Sequence, residues 1–263
     1  SRRRHTRYIS VTGVQTCALP IYENEINKYA TKQHLDGIIV LSTNQKDYLP
    51  ARLQSENFPV VVLGTPYKAN SVARLLIDDV RCGELAAEHL FETGVKEFGV
   101  ITGNEIIKAS DDRLAGYQNK LNQLELKLKQ SQIVSGNFTQ SGAYRATLEL
   151  FKKSPKVDGI FVLSDLMATG VLEALHELGK KVPKEVQVVS TDNSPTGLYT
   201  IPKLSSFDMK ALESGRLAAE MLFDLMDGRP VRRVTLAPEL VQRESTRNVR
   251  LRSEEHTSEL QSH

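Results

Sequence analysis

The sequence has few cysteines and no long apolar run. Cys17 and Cys82 are its only cysteines among 263 residues, which is too few for a disulfide framework and matches no metal-site spacing. No stretch of 18 apolar residues occurs, so no membrane-spanning helix is predicted. The formal charge is only +2, so the composition does not indicate a nucleic-acid surface. The remaining balance, 40% hydrophobic and 25% charged residues, is typical of a globular protein.

Sequence signatures of catalysis are missing as well. There is no glycine-rich phosphate loop of standard spacing, no HExxH and no GxSxG. Among the histidines, His89 and His176 fall on predicted helices, at positions that we expect to be exposed. We therefore predict that the chain is not an enzyme and that it carries no cofactor and no metal.

The two ends of the chain differ from the rest. Residues 1–21 show no sustained periodicity, and VTGVQTCALPI within them resembles a translated sequencing adapter. Residues 252–263 resemble the partner adapter, so we set both ends aside as non-native. The alternative is a basic arm and a polar tail. The other 230 residues have 29 basic and 29 acidic side chains, and their single cysteine, Cys82, is typical of a reducing compartment, here the cytoplasm.

Short apolar runs alternate with amphipathic stretches along the remaining chain, which predicts an α/β fold with parallel sheets. Strands are predicted at 37–41, 60–63, 74–77, 98–101, 133–134, 159–163 and 186–189, and near 234 and 240. Helices are predicted at 48–56, 79–92, 113–126, 141–152, 165–178 and 212–226. No strand precedes a first helix at 23–34, so we expect an incomplete N-terminal lobe with two unpaired strand edges.

Several phrases resemble the LacI/GalR family of transcription regulators in their order and spacing. They include DGII at 36–39, FPVV at 58–61, RLAGY at 113–117, SDLMATG at 164–170 and PELVQREST at 238–246. The resemblance implies two Rossmann-like lobes of the periplasmic-binding-protein type I kind. The N-lobe would hold residues 22–77 and 209–236, and the C-lobe residues 78–206 and 237–251. A ligand would enter the cleft at the carboxyl ends of the parallel strands.

Two charged residues are the leading ligand contacts. Arg113 is predicted at the start of a helix, where its planar fork of donors suits two hydroxyls or a carboxylate; the family's matching arginine contacts effector. The alternative is a surface arginine paired with Asp111 or Asp112. Asp192 follows the strand at 186–189, where a carboxylate accepts hydrogen bonds from sugar hydroxyls; its alternative is a simple turn aspartate.

Four further residues are weaker candidates. Phe138 stands where the family often places an aromatic ring against its effector, although plain core packing explains it equally. Ser164 replaces the family's usual asparagine. Asp165 is a candidate contact or only the N-cap of the helix that follows. From the N-lobe, Ser42 follows the first visible strand and is expected to reach the cleft.

The resemblance implies a homodimeric sensing core that binds a small polar effector, sugar-like by family habit, and passes the signal to operator DNA through an N-terminal head. No helix-turn-helix pattern is found in residues 1–22. No membrane contact is predicted. The alternative function is an extracytoplasmic sugar-binding protein of a transporter, which shares the fold. The closing phrase PELVQREST resembles the regulators and not the transport proteins.

Overall fold

A computed structural model describes residues 36–41, 53, 55, 57–64, 72–104 and 107–248. Both adapter-like ends, Ser42 and most of the helix predicted at 48–56 lie outside the described residues. Of the helices that the structure describes, none combines the length and the apolar character needed to cross a bilayer.

The described elements alternate between strands and helices for most of the chain. In order they are β1 (Ile38–Leu41), β2 (Val60–Leu63), β3 (Ala73–Ile77), α1 (Asp79–Glu92), β4 (Phe98–Thr102), α2 (Lys108–Gln123), β5 (Ile133–Ser135), α3 (Gln140–Lys153), β6 (Gly159–Val162), α4 (Asp165–Glu177), β7 (Gln187–Thr191), β8 (Ser205–Asp208), α5 (Ala211–Met226), β9 (Arg233–Leu236) and β10 (Glu239–Val241). Two short 3₁₀ turns lie at Gln130–Gln132 and Pro195–Leu198.

Two separate sheets carry these strands. The smaller sheet has the order β1-β2-β3-β9, and all its pairs are parallel. These described strands pair without a gap, so the two neighbouring unpaired edges that we expected are not found among them. Leu217 and Met221 of α5 join Leu75 of β3 in one buried cluster, which places that helix against the sheet.

The larger sheet has the order β10-β8-β7-β6-β4-β5. Its strands are parallel except for β10, which pairs antiparallel with β8 at the edge. β6 is buried at all four positions, because helices cover both faces of a doubly wound sheet. The predicted α/β fold of two parallel-sheet lobes is confirmed, with one antiparallel edge strand added.

Helices α1 and α2 cross at unusually close range, and two glycines allow it. A Cβ added to Gly83 of α1 would lie 1.9 Å from the carbonyl oxygen of Arg113. A Cβ added to Gly116 of α2 would lie 1.9 Å from the carbonyl oxygen of Val80. Any side chain at either position would push the helices apart, since ordinary helix pairs pack about 8–10 Å apart. The crossing therefore fixes which residues of the two helices can meet.

The structure corrects several details of the predicted elements. Helix α2 begins at Lys108, so Arg113 lies in its second turn and not at its start. The N-cap of α4 is Ser164, whose hydroxyl accepts from the amide of Met167, whereas Asp165 is the first residue of the helix. The strand β8 was not predicted, because its polar sequence Ser-Ser-Phe-Asp lacks the apolar run of a buried strand.

His89 is buried, contrary to the exposed position expected for it. Its side chain is 6% exposed, and its Nε2 lies 3.0 Å from the hydroxyl of Thr246. Burial lowers the pKa of His89 to about 4, so the ring is neutral at pH 7. This depressed pKa destabilises the folded state as the pH falls from about 6.5 toward 4. His176 is exposed as expected.

Candidate functional site

The side chain of Arg113 lies at the carboxyl ends of β6 and β7, and three of its five N–H groups are bonded to the protein. Its Nε donates to Asp79 Oδ1 at 2.8 Å. Its Nη1 donates to the carbonyl oxygen of Leu163 at 3.0 Å and to the hydroxyl of Thr191 at 2.9 Å. The guanidinium therefore joins α1, α2 and the ends of two neighbouring strands. It pairs with Asp79, and not with the nearby Asp111 or Asp112 that we had considered.

This ion pair is largely withdrawn from water. The Arg113 side chain is 12% exposed and that of Asp79 is 14% exposed. Burial alone would lower the pKa of Arg113, but the carboxylate of Asp79, helped by Asp192, outweighs burial and raises it. Burial raises the pKa of the Asp79 carboxyl, although Arg113 opposes that shift. Each charge therefore needs the other, because an unpaired charge in this buried place would cost free energy.

Asp192 follows β7 directly and shares this edge of the sheet with Arg113. Its φ of 108° lies in a region that residues with a side chain rarely adopt, and such backbone strain clusters at functional sites. The residue as a whole is exposed, but the protein displaces water from around its carboxylate. This desolvation raises the pKa of Asp192 to about 6; Arg113 opposes the shift and Asp165 adds to it. Its Oδ2 accepts from the amide of Asp165 and its Oδ1 from the hydroxyl of Thr191, both at 3.4 Å. These bonds are long, and a carboxylate has acceptor capacity beyond them for hydrogen bonds from a ligand.

Asp165, by contrast, is enclosed and bonded on every side that the structure describes. It is 1% exposed. Its Oδ1 accepts from the hydroxyls of Ser190 and Ser206 at 2.5 and 2.7 Å, and its Oδ2 accepts from the amide of Ser194 at 2.6 Å. This geometry gives Asp165 a structural role, because it fixes the turn that carries Asp192. The neighbouring Ser164 is also buried, with its hydroxyl used as the helix cap.

Phe138 reaches the same edge of the sheet from the turn after β5. Its φ is 54°, a left-handed conformation that is uncommon for an aromatic residue. A Cβ added to Gly103, just after β4, would lie 1.9 Å from Phe138 Cε2, so the ring packs directly on the backbone there. The ring is half-buried. It combines a packed face with accessible surface, and its contact with a ligand remains a prediction.

Several residues of this region were not predicted from the sequence. Arg243, in the closing phrase PELVQREST, donates to the carbonyl oxygen of Leu204 at 2.7 Å and to Asn193 Oδ1 at 2.6 Å. Asn193 adjoins Asp192, so Arg243 pins the turn from its other side. Asp79 is not among the candidates of the sequence analysis; it directly follows the helix cap Asp78, whose carboxylate accepts from the amide of Arg81. The one sequence signal for Asp79 was that a second acidic residue stands directly after the cap.

Metal binding finds no support in the part of the chain that the structure describes, where no three histidine, cysteine or acidic side chains converge as a set of ligands. The polar groups at the carboxyl ends of β5, β6 and β7 are instead hydrogen-bond donors and acceptors. They suit a small ligand with several hydroxyl groups.

Comparisons with known proteins agree with this arrangement. A family profile described as "Periplasmic binding protein-like domain" matches residues 87–246. The chain is 32% identical over 230 residues to the HTH-type transcriptional regulator CelR of Thermobifida fusca, covering 86% of this chain and 67% of that protein. It is 31% identical over 208 residues to catabolite control protein A of Staphylococcus epidermidis, covering 79% and 63%. The chain spans about two thirds of the length of these curated relatives.

Solved structures give the same result. A transcriptional regulator CelR–cellobiose complex matches with a TM-score of 0.78 at 31% identity, covering 86% of this chain and 71% of that one. A regulatory protein of the LacI family from Chloroflexus aggregans matches with a TM-score of 0.79 at 26% identity, covering 84% and 80%.

The fold and the site define an α/β domain of two sheet lobes, of the kind that binds small ligands at the carboxyl ends of its strands. The chain belongs to the family of periplasmic binding protein-like domains, and its homologues are transcriptional regulators of the LacI type. The resemblance stated from the sequence motifs is thereby confirmed at the level of the family. These relatives are regulators and not enzymes.

We expect Asp192→Asn to raise the free energy of unfolding at pH 7. The folded pKa of about 6 exceeds the unfolded value of roughly 3.9, so the stability that this group contributes is present below about pH 4 and is lost as the pH rises through 6. The gain should be on the order of 1 kcal/mol, because solvent screens an exposed carboxylate. Asparagine also tolerates positive φ.

The measurement is urea unfolding of both proteins at pH 4 and pH 7. Comparing variant with wild type removes the opposite contribution of His89, which both proteins share. Asp111→Asn, the same change at an exposed position on α2, is the control. An equal effect of Asp192→Asn at the two pH values would contradict the assignment.

Proposed function

We propose that this chain is the effector-binding core of a LacI-type transcription regulator, and that it binds a small, sugar-like molecule at the carboxyl ends of β4 to β7. One observation carries the proposal: the guanidinium of Arg113, which keeps one nitrogen without a recorded protein partner, and the carboxylate of Asp192 share one rim of the larger sheet. Donors and an acceptor in this arrangement suit adjacent hydroxyl groups. Phe138 would pack against the ligand's apolar face. Ser42, the candidate contact from the N-lobe, lies outside the described residues.

The relatives support a sugar as the ligand class. The solved relative at 31% identity is a complex with cellobiose, and another curated relative is a ribose operon repressor at 27% identity. Neutral mono- and disaccharides, with cellobiose first, are therefore the ligands to try. The proposed site binds its ligand and carries out no chemical step.

The whole protein would add a DNA-binding head. Its relatives carry names such as HTH-type transcriptional regulator and HTH-type transcriptional repressor, and the chain spans about two thirds of their length. Binding of effector would favour one arrangement of the two lobes and so change the affinity of paired heads for operator DNA. A protein that acts on operator DNA would work in the cytoplasm. We infer that residues 22–77 and 209–236 form the N-lobe, and that residues 78–206 and 237–251 form the C-lobe.

A transporter's extracytoplasmic binding protein is not favoured, because the relatives described above are regulators. DNA sequencing upstream of the codon for Glu23 discriminates between the two functions. A helix-turn-helix coding region is the expected result, and a signal peptide would contradict the regulator.

We expect cellobiose or another neutral saccharide to raise the melting temperature of the chain, and Arg113→Ala to abolish that rise. Ligand at about one hundred times its Kd stabilises the native state by about 2.7 kcal/mol. The measurement is the ligand-induced shift within each protein, so lower stability of the variant itself does not affect it. Arg145→Ala, at an exposed position on α3, is the matched control and should keep the whole shift.

Arg113→Ala leaves Asp79 buried without its partner and could therefore misfold, so a second variant is needed as an independent test. Arg113→Lys keeps the charge, but its three donors sit on one nitrogen and cannot reproduce the planar, five-donor geometry of the guanidinium, so calorimetry should show weaker binding of the same saccharide. Retention of the full thermal shift by Arg113→Ala would remove Arg113 from the site.

We also propose that the chain forms a homodimer through the loop that follows β7. Three apolar side chains stand out into solvent there: Leu198 is 47% exposed, Tyr199 84% and Ile201 95%. Such clustered exposure of large apolar groups marks contact surfaces. A second copy of the chain fits this surface because closed homodimers are the commonest protein assemblies.

Tyr199→Lys is expected to weaken the dimer by about ten- to a hundredfold, as measured by analytical ultracentrifugation. The estimate follows from a buried aromatic contact of about 1.5–3 kcal/mol. Leu178→Lys, another exposed apolar position at the end of α4, is the control. An unchanged dissociation constant for Tyr199→Lys, or a wild-type chain that stays monomeric, would contradict this interface.

A further inference from the structure

Most of the hydrogen-bonding capacity of Arg113 is already used by the protein itself. A guanidinium has five N–H groups. The Nε hydrogen goes to Asp79, and two Nη1 hydrogens go to Leu163 and Thr191. Among the described residues, no hydrogen bond is recorded for Nη2. Only Nη2 is therefore left to donate to a ligand, and the two-nitrogen fork that binds carboxylate or phosphate in a bidentate manner is already used in part.

Asp79 is what holds the guanidinium in this orientation. The close crossing at Gly83 and Gly116 brings the first turn of α1 beside the second turn of α2, and Asp79 and Arg113 meet there at 2.8 Å. Both side chains are more than four-fifths buried. A buried pair with a charge-assisted bond keeps one geometry, so Asp79 fixes the orientation of the guanidinium together with the Nη1 bonds to Leu163 and Thr191.

The charge of the site follows from the same contacts. The charged side chains that act on Arg113 are Asp79 on α1 and Asp192 after β7. One cation and two carboxylates have a net charge of −1. An anionic ligand at Nη2 would meet an arginine already neutralised by Asp79 and would also face the carboxylate of Asp192. An uncharged ligand has neither difficulty, because a hydroxyl can accept from Nη2 while a second hydroxyl donates to Asp192.

We propose that Asp79 is a specificity-determining positioning residue: by occupying Nε and the charge of Arg113, it makes this site select uncharged polyhydroxyl ligands over anionic ones. The inference rests on the proposed function for the location of the site, and it narrows the ligand class to neutral saccharides as against sugar phosphates and sugar acids. Asp79 acts through Arg113 and does not itself touch the ligand.

Asp79→Asn tests this inference, because asparagine has the same shape and its Oδ1 still accepts from Nε, while the negative charge is gone. Calorimetry should measure binding of four probes: cellobiose, glucose, glucose 6-phosphate and inorganic phosphate. For wild type we expect binding of a neutral sugar that exceeds binding of glucose 6-phosphate. For Asp79→Asn we expect affinity for the phosphate-bearing probes to rise about tenfold, the effect of one partly screened charge a few ångströms away. Asp111→Asn, with the same charge change, should leave the preference as it is.

A ligand-free measurement separates the inference from the proposed function. Titration of the Asp192 carboxyl by ¹³C NMR should show a lower midpoint in Asp79→Asn than in wild type, because an uncompensated Arg113 favours the ionised form. A merely structural role of Asp79 would not move this midpoint selectively. Asp111→Asn should shift the Asp192 midpoint by less than about a tenth of the shift in Asp79→Asn.

The outcomes are distinct. If wild type binds glucose 6-phosphate more tightly than any neutral sugar, or if Asp79→Asn changes neither the Asp192 midpoint nor phosphate affinity, the inference is overturned while a sugar-derived effector stands. If no saccharide binds wild type but Asp79→Asn lowers the midpoint and gains phosphate affinity, the discrimination of Asp79 against anions stands and the proposed sugar effector fails.

Discussion

The site depends on the close crossing of two helices. Gly83 and Gly116 let the backbones of α1 and α2 touch, because any larger side chain would meet a carbonyl oxygen. This contact places Asp79 against Arg113, and the pair then reaches the ends of β6 and β7 through Leu163 and Thr191. One steric constraint thus determines the position of a charge. That charge is the basis of the proposed preference of the rim for uncharged ligands.

The acceptor side of the site is held by an independent network. Buried Asp165 accepts from the serines of β7 and β8 and from the amide of Ser194, while Arg243 holds Asn193. Between these two anchors lies Asp192, with a strained backbone and a pKa raised to about 6 by the surrounding protein. Residues from distant parts of the chain therefore converge to stabilise one turn. A polar site of this kind is rigid before any ligand arrives, which reduces the entropic cost of binding.

Most strands and helices could be predicted from the sequence, because apolar periodicity reflects burial directly. The all-apolar runs of β2 and β6 and the amphipathic pattern of α5 are local signals. β8 was missed because its serines are buried through hydrogen bonds and not through apolar character: Ser205 and Ser206 bond to Thr246 and Asp165. His89 was misplaced for the same reason, since its partner Thr246 lies 157 residues away. The family motifs located Arg113 and Asp192, but not what each of them contacts.

The sequence by itself determined the alternation of strands and helices, the parallel sheets and the family, since these follow from local periodicity and from motifs of contiguous residues. Only the tertiary structure decided which polar groups are consumed within the protein and which remain for a ligand. Arg113 and Asp165 are both charged residues in the first two turns of a helix that follows a strand. One keeps a nitrogen toward the rim and the other is wholly enclosed, because hydrogen bonds in a folded chain join residues that no local pattern relates.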